Sequence, residues 1–64
     1  MNLIDGLNIE LKRVKELLKL YEDIPTGAFG AIMIRQVIEH AEISMQTHNL
    51  SEMIKAYKAL EGCE

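Results

Sequence analysis

Apolar residues recur along the first third of the chain at helical spacing. Ile4, Leu7, Leu11, Val14, Leu18 and Tyr21 are separated alternately by three and four positions. That places them on one stripe of an α-helix, as the a and d positions of successive heptads. Leu3, Leu17 and Ile24 widen the stripe on one side. Asn2 is placed to cap the helix, and Asp5 to face the positive end of its dipole. Lys12–Glu16 and Lys19–Asp23 have the i,i+4 spacing of supporting ion pairs. Gly6 is the misfit, because glycine inside a helix costs about 1 kcal/mol relative to alanine. Either the helix starts after it or another backbone approaches there. The pattern predicts a helix over about 3–24.

Pro25 ends this helix, since the residue before a proline avoids the α region. Thr26 is the expected N-cap of a second helix, with Gly27 supplying freedom in the turn. No further breaker occurs until Asn49, which predicts a helix over about 28–48. At 100° per residue, Ala31, Ile34, Val37, Ile38, Ala41 and Met45 fall within roughly one third of its circumference. Arg35, Glu39, Glu42 and Gln46 lie opposite. Ile32 and Ile43 disobey, sitting together among these polar residues, with Phe29 and Met33 toward that flank or beyond it. A lone bundle would leave both isoleucines wet, and an aligned pair points to a second contact surface.

Asn49 followed by Glu52 reads as a capping box, with Ser51 as an alternative cap. Leu50, Met53, Ile54, Tyr57 and Leu60 then form a third stripe, predicting a helix over about 50–61. Gly62 stands where a left-handed C-terminal cap is expected, and Cys63 and Glu64 are expected to fray. No repeat or linker interrupts the chain. The expected fold is all-α: one domain over 1–64, with a long helical hairpin and a short third helix packed back across it.

Size and composition sharpen this picture. A chain of 64 residues stands near the lower limit for independent folding, where a crosslink, a metal or a partner subunit is usual. Cys63 is the only cysteine, so no internal disulfide can form, and no Cys/His cluster suggests zinc. A homo-oligomeric bundle is the remaining expectation. Its contact is expected from the first-helix residues Ile4, Leu7, Leu11, Val14 and Leu18, or from the Ile32 and Ile43 face. The net charge of −3 disfavours DNA, RNA or an anionic membrane as the main partner. Lys12, Arg13, Lys15 and Lys19 interleave with Glu10, Glu16, Glu22 and Asp23, which reads as a solvated face. Asp5 and Glu10 interrupt any secretory apolar run, and no stretch approaches the ~20 apolar residues of a membrane span. A cytoplasmic location is expected.

Thr26-Gly27-Ala28-Phe29-Gly30 is the one local motif suited to a ligand. Unpaired N–H groups at a helix start attract phosphate or carboxylate, and glycine lets an anion approach the backbone. Thr26 would add a hydroxyl, Gly27 and Gly30 backbone donors, Arg35 charge, and Phe29 or Tyr21 a stacking surface. The lysine and spacing of a P-loop are absent, so the competing reading is an ordinary tight turn. His40 and His48 are eight positions apart and cannot chelate one metal as an i,i+4 pair can. Nothing in the sequence assembles a nucleophile, a paired-carboxylate site, a metal site or a cofactor site, and the expectation is a protein that is not an enzyme.

The opening Met1-Asn2-Leu3-Ile4-Asp5-Gly6-Leu7-Asn8 carries a resemblance, together with Pro25-Thr26-Gly27-Ala28-Phe29-Gly30-Ala31, Met33-Ile34 and Ala56-Tyr57-Lys58-Ala59-Leu60. In these segments the chain resembles a group of short helical proteins encoded by bacteriophages and prophages. The resemblance implies an infected or lysogenic bacterial cell as the setting and an anti-defence role. Small phage oligomers of this architecture include proteins that sequester cyclic-nucleotide or ADP-ribose-type immune signals. By that analogy the Thr26–Gly30 turn would capture a cyclic or otherwise phosphate-bearing nucleotide. The alternative is a phage inhibitor or adaptor that docks an exposed apolar helix face on a host protein.

Overall fold

The computed structural model describes residues 2–64. Three helices account for most of them: α1 over Leu3–Asp23, α2 over Ala28–Gln46 and α3 over Leu50–Glu61. Cross-chain contacts give the directions. Glu22 meets Arg35 and Lys15 meets Glu42, so α1 and α2 run antiparallel. Gly6 lies against Tyr57 and Arg13 against Leu60, so α3 returns parallel to α1. Each helix touches both others, within extents of 36 × 19 × 16 Å. The all-α hairpin with a third helix packed across it is the architecture observed.

Both asparagine caps form as their sequence context predicts. Asn2 Oδ1 accepts from the Asp5 amide at 2.8 Å, and Asn49 Oδ1 from the Glu52 amide at 3.3 Å. The capping box at Asn49 is only half made. The Glu52 carboxylate turns instead toward Lys55 and toward His40 of α2. Ser51 does not cap; its hydroxyl sits 3.3 Å from Asn49 Oδ1. Gly6 lies inside α1 after all, and what approaches it is a ring. A Cβ there would sit 3.1 Å from Cε1 of Tyr57.

The core is built from Leu7, Leu11 and Val14 of α1, Ile34, Ile38 and Ala41 of α2, and Met53, Ala56 and Leu60 of α3. Ala41 and Ala56 are wholly buried, and their small side chains let the helix backbones come close. Ser44, the one buried polar residue among the described residues, satisfies its hydroxyl on the Ala41 carbonyl at 2.8 Å. This corrects part of the expected interface. Leu7, Leu11 and Val14 are not free to bind a second copy, because α2 and α3 cover them within the same chain. Leu18 is half-buried against the same core, and Ile4 keeps 39% of its surface exposed. Two stripe assignments are also corrected: Ile24 is 50% exposed, and α3 turns Ala56 inward while leaving Leu50 63% and Ile54 43% exposed.

Both ends of the α2–α3 region depart from expectation. His48, not a glycine, takes the left-handed conformation, with φ of 52°. The His48 amide donates to the Met45 carbonyl and the Asn49 amide to that of Ser44, the paired bonds of a Schellman turn. Gly62 is right-handed, with φ of −76°. The physical reason is Arg13. Its guanidinium reaches from α1 to the Leu60 carbonyl at 2.8 Å and the Cys63 carbonyl at 2.9 Å. A carbonyl of the last turn of α3 and one just past the helix thereby gain donors and a complementary charge without a left-handed turn. The hydrogen bond to Glu10, and that carboxylate's charge, raise the guanidinium pKa above its ordinary value. Cys63 and Glu64 lie beyond α3, and Tyr21 Oη donates to the backbone oxygen of Glu64 at 2.6 Å.

Candidate functional site

The α1–α2 turn holds the residues that the sequence singles out for a ligand. Pro25 forces Ile24 into an extended conformation, and the Gly27 amide closes a tight turn on the Ile24 carbonyl at 2.9 Å. Gly27, rather than Thr26, is the N-cap of α2, and no side chain caps the helix. Only glycine fits there, because a Cβ would collide with the Tyr21 carbonyl oxygen. No acidic residue occupies the first turn of α2. Its leading amides are therefore open to an anion.

The remaining members of the proposed set do not converge on those amides. The Tyr21 ring lies over Gly30, where a Cβ would fall 2.7 Å from two ring carbons, and the Tyr21 hydroxyl is held by Glu64. Gly30 therefore serves ring packing. Arg35 is paired with Glu22 at 2.7 Å, with both side chains about half exposed. A shallow depression of about 440 Å³ brings Arg35 together with Glu22, Ile24, Pro25, Ala28 and Ile32, but it includes none of Tyr21, Thr26, Gly27, Phe29 or Gly30. Phe29 is 76% exposed.

A second concavity, about 590 Å³, runs between α1 and α2. Leu11 and Met45 line it together with Lys12, Lys15 and Lys19, while Glu16 and Glu42 offset two of the three positive charges. Lys15 reaches Glu42 at 3.2 Å. Arg13 turns away from this group, pairing with Glu10 at 2.6 Å and reaching the carbonyls of Leu60 and Cys63. The pairs Lys12–Glu16 and Lys19–Asp23 are not among the ion pairs formed by the described residues. His40 Nε2 stands 3.3 Å from Glu52, an exposed contact between α2 and α3. Among the described residues no three His, Cys, Asp or Glu side chains are grouped to hold a metal, and no helix is long and apolar enough to cross a membrane.

Large apolar side chains are exposed on the outward side of α2. Phe29 is 76% exposed, Ile32 49%, Met33 54% and Ile43 48%. Directly beneath, Ile34 and Ile38 are sealed in the core. The pairing of Ile32 with Ile43 was legible in the sequence from their eleven-residue spacing, which is three helical turns. Glu39 shares their arc, as its place in the sequence pattern implies, and so does Gln36, a polar residue that on an exposed face sends no signal of its own. Comparison with protein-family models, curated proteins and solved structures finds no match to this chain.

Proposed function

We propose that this chain is a non-enzymatic interaction protein that works as an assembly, and that the outward face of α2 is its binding surface. The observation that carries the reading is the exposure of Phe29, Ile32, Met33 and Ile43 on one helix of so small a protein. Phe29, Ile32 and Met33 group within the first turns of the helix and Ile43 is aligned with Ile32 three turns on, and exposed apolar residues aligned in this way mark contact sites. In a chain resembling phage proteins, the same face would serve an inhibitor or adaptor of a host protein. A double Ile32→Glu/Ile43→Glu variant tests the reading, with circular dichroism and sedimentation velocity as readouts. Retained helicity with loss of association supports it. Association that survives in the folded variant overturns it.

A second reading keeps the α2 N-terminus as a site for a cyclic or other phosphate-bearing nucleotide, favoured by its uncapped first turn. Within one chain Tyr21 and Arg35 already have partners, so a neighbouring copy must complete the pocket. Calorimetric titration with cyclic di- and trinucleotides decides it. Binding that disappears in Arg35→Ala and Gly30→Val supports the site, and absence of heat with every nucleotide removes it.

A further inference from the structure

We infer that two copies of this chain pair through α2, antiparallel, about a two-fold axis level with the Val37–Ile38 peptide. This rests on the reading of α2 as the interaction face and adds its occupant, direction and register. Phe29, Ile32, Gln36, Glu39, Ile43 and Gln46 are spaced three, four, three, four and three. They form a second, outward a/d seam on the side of α2 turned away from α1 and α3. All of them are exposed.

Chain direction follows from charge. A parallel pair in register would set Glu39 directly opposite the partner's Glu39, two carboxylates in one layer of the seam. In an antiparallel pair each a position meets a d position of the other helix. One register then matches every layer: Ile32 with the partner's Ile43, Gln36 with the partner's Glu39, and Phe29 with the partner's Gln46. The two isoleucines that a lone chain leaves wet cover each other. The Gln36 amide can donate to the carboxylate it faces.

The flanks agree with this register. Arg35 and Glu42 stand on the same edge of the seam, one heptad apart, and antiparallel pairing sets Arg35 beside the partner's Glu42 on both sides of the axis. Both side chains are about half exposed, and within the chain they already touch Glu22 and Lys15. On either side of the axis that edge of the dimer would read Glu22, Arg35, the partner's Glu42, the partner's Lys15, with charges alternating throughout. Complementarity of this kind favours one register over its neighbours. The sequence of one helix supplies both halves of the match, as an isologous contact requires.

A seam about five turns long is small for a protein interface, so a dissociation constant in roughly the micromolar range is expected. Sedimentation velocity from about 1 μM to about 1 mM brackets that range. Reversing one charge makes each variant repel itself: Arg35→Glu meets the partner's Glu42, and Glu42→Arg meets the partner's Arg35. Each alone should weaken dimerisation about tenfold or more, as loss of two charge pairs in favour of two repulsions implies. An equimolar mixture of the two should recover association, because both contacts between positions 35 and 42 across the seam are again between opposite charges. Circular dichroism of each variant confirms that it folds. A wild-type chain that stays monomeric up to about 1 mM overturns the pairing while leaving the face free for a different protein. Association of the wild type without recovery in the mixture overturns the register. Association untouched by Ile32→Glu/Ile43→Glu overturns both the pairing and the reading beneath it.

Discussion

Two pairs of isoleucines on the same helix have opposite fates. Ile34 and Ile38 are 6% and 7% exposed, whereas Ile32 and Ile43 are 49% and 48% exposed. They are identical in chemistry and helix propensity, and Ile32 and Ile34 are only two positions apart. The difference is angular, since two steps turn the helix by about 200°. The inner pair lies on the arc that α1 and α3 cover, and the outer pair on the arc they leave. Burial in this protein is thus a property of position around the helix rather than of residue type. The outer pair is surplus to the fold, which is why it is free to serve contact with another molecule.

The largest expected effect separates the two pairs outright. Ile34→Ala or Ile38→Ala should lower unfolding free energy by about 2–5 kcal/mol, because each leaves a cavity in a sealed core. In a chain of this size that is a large share of the total stability, and urea titration followed by circular dichroism would measure it. An intermediate effect is expected at Arg13→Ala, which removes the donors that hold the Leu60 and Cys63 carbonyls. A loss of about 1 kcal/mol is expected, the net worth of such exposed or part-buried bonds, with amide exchange quickening in the last turn of α3. Unchanged exchange there would show that core packing alone docks that helix. The smallest effect belongs to the outer pair. Ile32→Ala or Ile43→Ala should change the stability of the dilute monomer by less than about 1 kcal/mol, partly offset by the better helix propensity of alanine. A cost equal to that of the inner pair would erase the distinction on which the interaction surface depends.

Two caps and one helix end are legible in the sequence because their causes are local, whereas the Thr26 cap and the Lys12–Glu16 and Lys19–Asp23 pairs, equally local, are not among the contacts that the described residues form. Asn2 and Asn49 cap helices through bonds spanning three residues, and Pro25 ends α1 through its own ring. The turn at His48 was missed, since the left-handed position that ends a helix more often carries glycine. Gly62, the glycine that drew that reading, never needed it. The donor to the α3 carbonyls came from Arg13, 47 positions from Leu60, and no local pattern announces such a partner. The candidate ligand set failed to converge for a similar reason. Tyr21, Gly30 and Arg35 were each eligible for a ligand by type, but packing gave Tyr21 to Gly30 and Glu64, and Arg35 to Glu22.

From the order of its residues alone, this chain determines three helices, where they begin and stop, and that each carries more apolar surface than one stripe can hold. Tertiary structure decided which stripe turned inward. A helix with apolar residues on two arcs can roll, and its local energy barely changes as it does so. The choice is made when all three helices exclude water together, and that collective term puts Ala56 inside, Leu50 and Ile54 at the surface, and Ile32 and Ile43 on the open side of α2.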